Sequence, residues 1–331
     1  MEWVRGEVIG RGSFSTVNIA TTSSFNQIAV KSSDVADAAL LRHEKQVLDS
    51  LGFHQNIVRC LGEDISMENC RRRYNLLLEY AEGGTLADQM KNFKGGKMPE
   101  KQVRSYARQA LKGLSHVHKM GFAHLDIKPQ NLLLSESGEV KIADFGFAER
   151  MGGNPRKKGE FRGTPMYMAP ESVNFNVYGS SCDVWAVGCS VLELATGRPA
   201  WKKGEEEHNV MSLLMRIGVG EKTPEIPDDV SQELKEFLRR CLVKDPAARW
   251  TVDMLLSHPF VSEADGETEG KCVIKTWSPR YVSDFPDEWS VSEVESERTE
   301  VSADACECRI AELSVDVGLD WVESGSWISV R

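Results

Sequence analysis

The chain has 331 residues, 41% hydrophobic and 27% charged, enough apolar material for a sizeable core and, as a prior on length, two domains. The formal net charge of −10 is uneven: residues 261–331 carry 17 Asp/Glu against 6 Lys/Arg, a net −11, so residues 1–260 sum to +1. A near-neutral body with an acidic tail argues against nucleic-acid binding, no apolar run is long enough to span a bilayer, and Met1-Glu2-Trp3-Val4-Arg5 lacks the apolar stretch of a secretory leader.

The expected location is therefore cytoplasm and nucleus, with reduced thiols. Of the scattered cysteines only Cys306 and Cys308 are close, and Cys-x-Cys without partner ligands is a weak metal signal.

Residues 1–80 read as short strands separated by Gly and Ser. Val8-Ile9, Val17 to Ala20 and Gln27 to Lys31 are β-rich. Ala38 to Leu51 spaces Leu40, Leu41, Val47, Leu48 and Leu51 as a helix does. Tyr74 to Tyr80 is a further strand, and Gly83-Gly84 then breaks the chain as a hinge. Helical patterning follows. Pro99 to Met120 puts Val103, Ala107, Ala110, Leu111, Leu114 and Val117 on one stripe, with Gly121 past the end. Leu132 to Ile142 reads as a hairpin. Asp183 to Thr196 is apolar nearly all round, which predicts a buried central helix. Ser231 to Cys241 and Thr251 to Leu256 are amphipathic, and His258-Pro259-Phe260 closes the globule. The fold class is α+β, with a β-rich lobe over about 1–80 and a helical lobe over about 85–260. The Ser/Glu-rich remainder, 261–331, is expected to be largely disordered, with docking segments around its isolated aromatics.

The chemistry begins at Gly10-Arg11-Gly12-Ser13-Phe14-Ser15, a glycine turn whose backbone can approach phosphate oxygens. The third glycine of the usual pattern is Ser15 here, and alone the turn fits an ordinary hairpin better. Lys31 ends the next strand and can clamp nucleotide phosphates if Glu44 on the following helix holds it; the alternative is two surface charges. The run His124-Leu125-Asp126-Ile127-Lys128-Pro129-Gln130-Asn131, with Asp144-Phe145-Gly146 beyond it, is far more specific. Asp126 can accept the proton of an attacking hydroxyl, Lys128 can neutralise charge on a moving phosphoryl group, and Asn131 and Asp144 can hold two magnesium ions. His124 is read as structural. Positioning and electrostatics supply the rate in such a site.

These motifs resemble those of the eukaryotic protein kinases, and the resemblance covers residues 1–260. It continues through Ala169-Pro170-Glu171, Asp183 and Arg249. It implies a two-lobed kinase fold, ATP and Mg2+ as cofactors, a buried Glu171–Arg249 ion pair, and Asp183 bracing the catalytic loop. Lys31, Glu44, Asp126 and Lys128 take catalytic positions. Ile9, Gly10, Gly12, Val17, Ala29 and Lys31 line the nucleotide. Leu78, Glu79 and Ala81 match the gatekeeper and hinge, and Thr164 matches a threonine reaching toward the base and lysine. Lys128-Pro129-Gln130-Asn131 resembles the serine/threonine class. Glu2 to Gly6, Gly163 to Glu171, Ser278-Pro279-Arg280 and Trp327 to Arg331 resemble the small plant mitogen-activated protein kinase kinase kinases of the MEKK type. That implies a MAP kinase kinase as substrate, in stress and abscisic acid signalling, with upstream regulators acting through the tail. A kinase outside that cascade, or a pseudokinase scaffold, are the alternatives.

One residue departs from the pattern. Many kinases have arginine before the catalytic aspartate, where it pairs with a phosphate on the activation segment; here Leu125 stands there. The segment 147–163 contains no Ser, Thr or Tyr. Receiver and acceptor are both missing, and with them a charge-assisted contact of about 1.5–3 kcal/mol. This non-RD pattern predicts activity without phosphorylation between Phe147 and Gly163. The same segment carries Arg150, Arg156, Lys157, Lys158 and Arg162 against Glu149 and Glu160. It could dock the acidic tail, or both could be solvated charge runs screened beyond about 8 Å.

Overall fold

A computed structural model of the chain describes residues 2–262, apart from 13–14, 25, 153–160 and 202–209. The acidic tail and the basic residues Arg156, Lys157 and Lys158 lie outside the described residues.

Five antiparallel strands form the first lobe: β1 (Trp3–Arg11), β2 (Thr16–Thr22), β3 (Gln27–Asp34), β4 (Cys60–Glu68) and β5 (Arg71–Glu79), in the order β1-β2-β3-β5-β4. The period of two on β3 puts Ala29 and Lys31 on one face and Val30 and Ser32 on the other. The second face has a small core of its own, Ala20, Ile28, Val30 and Leu77. Arg5 closes it. Its guanidinium bonds Glu68 and Asn75 at 2.8 Å, Ser32 at 3.0 Å and Asn18 at 3.2 Å. Trp3 Nε1 donates to Asp64 at 3.2 Å, so both edge strands of the sheet are tied across this face. Helix α1 (Ala39–Leu51) lies between β3 and β4 in sequence and buries Leu41, Val47, Leu48 and Leu51 together with Glu44.

The second lobe contains α2 (Leu86–Met90), α3 (Glu100–Lys119), β6 (Phe122–Ala123), β7 (Leu132–Leu134), β8 (Val140–Ile142), β9 (Glu149–Arg150), α4 (Pro170–Phe175), α5 (Ser180–Thr196), α6 (Val210–Gly218), α7 (Gln232–Cys241) and α8 (Val252–Leu256). The expected stripe of α3 is buried throughout, and Gly121 beyond it has φ 80°. Helix α5 is buried without a break from Cys182 to Leu192, so it is the axis on which the lobe is built. Ser231 and Thr251 cap α7 and α8 by accepting the N–H of Leu234 and Met254. The predicted hairpin is the β7–β8 pair.

The structure adds elements that the sequence reading does not contain, among them α2, β4, β6, β9, α4 and α6. Strand β4 went unrecognised because Gly62, Glu63, Asp64 and Ser66 break its apolar alternation; the ladder with β5 fixes it regardless. Helices α4 and α6 were likewise not predicted; α6 buries Leu213, Leu214 and Ile217. At Gly83-Gly84 the chain is tied to β7: Gly83 N–H donates to Leu134 O at 2.9 Å, and Leu134 N–H returns a bond to Gly84 O at 2.8 Å. A Cβ at Gly83 would lie 2.7 Å from that Leu134 oxygen, which explains the glycine.

Glu171 at the start of α4 meets Arg249 in a buried fork, with Oε1–Nη1 at 2.6 Å and Oε2–Nη2 at 3.0 Å. The guanidinium also donates to the carbonyls of Ser181, Val243 and Lys244 and stacks over Trp185. Glu171→Ala leaves this cation buried and unpaired, and should cost about 3–5 kcal/mol in urea unfolding. Replacing both partners by Leu and Met should cost clearly less than the single change.

Candidate active site

The first half of the site is built on β3 and α1. Lys31 pairs with Leu76 in the ladder, and its side chain reaches Glu44 of α1. A 3-10 turn over Val35–Asp37 closes the short route to the helix. Lys31 Nζ lies 2.7 Å from Glu44 Oε2 and 2.8 Å from Asp144 Oδ1. The other Glu44 oxygen accepts the Phe145 N–H at 3.2 Å. Burial alone pulls the Lys31 ammonium down, but the Asp144 and Glu44 carboxylates outweigh it and raise it overall. Burial raises the Asp144 carboxyl, and Lys31 more than reverses this, so Asp144 is held below its ordinary value. Asp144 has φ 66°, left-handed backbone that Asp tolerates better than most residues.

The second half hangs from Asp183 in α5. Its carboxylate accepts the N–H of His124 at 2.8 Å and of Leu125 at 2.7 Å. His124 is wholly buried, edge-on to Phe145, with Nδ1 accepting the Asp126 N–H and Nε2 against Ala143 O. Burial pulls its imidazole down, which fits the neutral tautomer those contacts require. Asp126 Oδ1 accepts from Thr164 N–H at 3.0 Å and Thr164 Oγ1 at 2.8 Å. Asp126 Oδ2 accepts from Asn131 Nδ2 and lies 2.9 Å from Lys128 Nζ. Lys128 also donates to Thr164 Oγ1 at 2.5 Å. Burial lowers Lys128 despite the neighbouring Asp126. The arrangement holds one carboxylate in a fixed orientation beside a buried cation.

Residues 3–261 match the family described as protein kinase domain. This chain belongs to that family. Mitogen-activated protein kinase kinase kinase 20 of Arabidopsis thaliana is 48% identical over 100% of both chains. The corresponding kinase 17 is 41% identical over 79% of this chain and 70% of its own length, and kinase 18 is 38% identical over 100% and 99%. The kinase is therefore a serine/threonine protein kinase related to plant MAP kinase kinase kinases, with the dependence on ATP and Mg2+ typical of the family.

The residues of this kinase fit those cofactors. Asn131 Nδ2 is committed to Asp126, which leaves the amide oxygen for a cation. Asp144 has Oδ1 on Lys31 and a second carboxylate oxygen besides. Two hard oxygens from protein, completed by phosphate oxygens, are what Mg2+ takes at nucleotide sites. Among the described residues no group of three His, Cys, Asp or Glu could hold a metal unaided.

The expected nucleotide-lining residues lie on consecutive strands. Gly10 in β1 pairs with Val17 in β2, which pairs with Lys31 in β3. Ile9 is half-buried, and Ala29 pairs with Leu78. The Gly12 N–H donates to Ser15 O at 2.8 Å. The Glu79 side chain reaches Arg59 N–H and Lys141, and its own N–H donates to Arg59 O at 2.9 Å, so its carbonyl is the group it can turn to a base. Ala81 O accepts from Gly84, leaving its N–H as the group it can offer.

Sequence reasoning missed what lies beneath Thr164. Tyr167 donates its hydroxyl to Glu193 of α5 at 2.6 Å. Burial pushes the Glu193 carboxyl up to about 7, with Tyr167 opposing. No spacing signal links positions 167 and 193; only the packing does. Between the ordinary value near 4.5 and 7 the folded chain holds a proton that the unfolded chain releases. Stability should therefore fall with rising pH across that window, by up to about 1.4 kcal/mol per pH unit, and level off above it. Glu193→Gln keeps an acceptor for Tyr167 and should remove this slope in denaturant midpoints measured from pH 5 to 8.

Proposed function

We propose that this kinase phosphorylates serine or threonine in the activation loops of MAP kinase kinases. The observation that carries the reading is the joining of the two halves. Lys31 and Glu44 of one lobe meet Asp144, while Asp126, Lys128, Asn131 and Thr164 form a single hydrogen-bonded unit. When bound, ATP supplies the phosphoryl group and magnesium offsets its charge. Asp126 orients the substrate hydroxyl and receives its proton. Lys128 sets a positive charge beside the transfer path. Lys31, held by Glu44, clamps the phosphates, and Asn131 and Asp144 are the residues that would hold magnesium. Ile9, Gly10, Gly12, Val17 and Ala29 cover the nucleotide, with the Glu79 and Ala81 backbones at its base.

The substrate class is supported by three relatives whose names describe MAP kinase kinase kinases, two of them similar along their whole length. The setting in stress and abscisic acid signalling, in cytoplasm and nucleus, rests on the resemblance alone. So does a role for the tail in meeting upstream regulators.

Incubating the full chain with a panel of MAP kinase kinases should label at least one of them on Ser or Thr. Asp144→Asn should lower that rate by about 10²-fold or more, because it removes a charge that acts in the transition state. No labelling of any panel member, with a generic substrate still phosphorylated, would move the kinase outside the cascade. Loss of all transfer in the wild type would favour a scaffold. Phosphatase-treated protein should keep most of its activity, since residues 147–163 offer no hydroxyl to modify.

A further inference from the structure

We propose that Glu149 and Arg162 are positioning residues for phosphoryl transfer: their ion pair pins the returning end of the activation segment so that Thr164 meets Asp126. The inference rests on the kinase reading above, and supplies the fixed element that replaces a phosphate held by arginine.

Glu149 is anchored first. It lies in β9, whose pairing with β6 sets Ala123 opposite Glu149, immediately before His124 of the catalytic loop. Arg162 Nη1 lies 3.0 Å from Glu149 Oε1, with both side chains about four-fifths buried at 21% and 17% exposure. A pair so placed is screened far less than one on the surface. The Arg162 N–H donates to the Tyr178 hydroxyl at 3.1 Å, which fixes the backbone at the same residue.

The next residues convert this anchor into geometry at the base. Gly163 has φ 89°, and a Cβ there would lie 2.4 Å from the Leu125 carbonyl oxygen. The chain at 162–164 is thus laid directly on the chain at 125–126. Thr164 follows, giving both its N–H and its hydroxyl to Asp126 Oδ1. A shift of the anchor by an ångström would carry Thr164 off the carboxylate and take its hydroxyl away from Lys128.

Leu125 belongs to the same contact region. It is 8% exposed and lines one small cavity together with Arg162, Tyr178 and Cys182. Arginine at 125 would set a second cation beside Arg162. With leucine there, Arg162 is the cation and Glu149 the anion, both supplied by the chain and neither conditional on modification.

The test uses full-length Glu149→Arg, Arg162→Glu and the double swap, with the phosphorylated MAP kinase kinase or a generic substrate. Each single reversal should lower kcat by about tenfold or more, equal to about 1.4 kcal/mol, while the KM for ATP stays within about twofold. The swap should restore most of the kcat, which a general packing role would not produce. Wild-type kcat in either single, or a swap no better than the worse single, overturns the proposal. So does loss of ATP-induced thermal stabilisation in all three. Should the wild type show no transfer at all, the kinase reading fails separately. The pair is then judged by limited proteolysis between 150 and 162: cleavage faster in the singles and slowed again in the swap supports it, and equal cleavage overturns it.

Discussion

The site depends on one buried carboxylate. Asp183 is wholly inaccessible in α5, and it accepts from the His124 and Leu125 backbones and meets His118 Nε2 at 2.8 Å. Burying an anion is costly unless its lone pairs are used, and here they are. The contact also stabilises a strained turn. Leu125 has φ 66°, a conformation that costs a non-glycine residue about 1–2 kcal/mol, and its N–H is held by Asp183 at 2.7 Å. Releasing that bond would free the turn and with it the direction of Asp126.

From this anchor the order extends in two directions. Toward the first lobe, His124 stands edge-on to Phe145, whose N–H is held by Glu44, which in turn holds Lys31. The lobes are therefore joined by the same side chains to which the proposed function gives the chemistry. Toward the substrate side, Asp126 holds Thr164, and the Glu149–Arg162 pair holds the chain two residues earlier. The carboxylate at 126 is thus approached from both sides by groups that have few alternative positions. Preorganisation of this kind is how a site with little covalent work to do acquires rate.

Much of this was legible in the chain itself, for a definite reason. The period of α3, the all-round apolarity of α5 and the glycine breaks are local properties, and local properties survive in sequence. The motif around Asp126 was legible because its members are close along the chain and chemically narrow. Strand β4 was not, because an edge strand with Glu63, Asp64 and Ser66 owes its form to the neighbour it pairs with. The charges at 149 and 162 read as two of several in a basic stretch; nothing along the chain marked them as partners.

The sequence by itself determined which groups are available: the aspartate, lysine and asparagine of one loop, a lysine and a glutamate on neighbouring elements, and a leucine where an arginine is common. It determined the residue types because each chemical task admits few side chains. The tertiary structure alone decided which distant groups meet: Lys31 with Asp144, Tyr167 with Glu193, Glu149 with Arg162. Those meetings depend on the packing of whole elements against α5. Distances of 2.6–3.0 Å between residues far apart in the chain are set by that packing and by no local pattern.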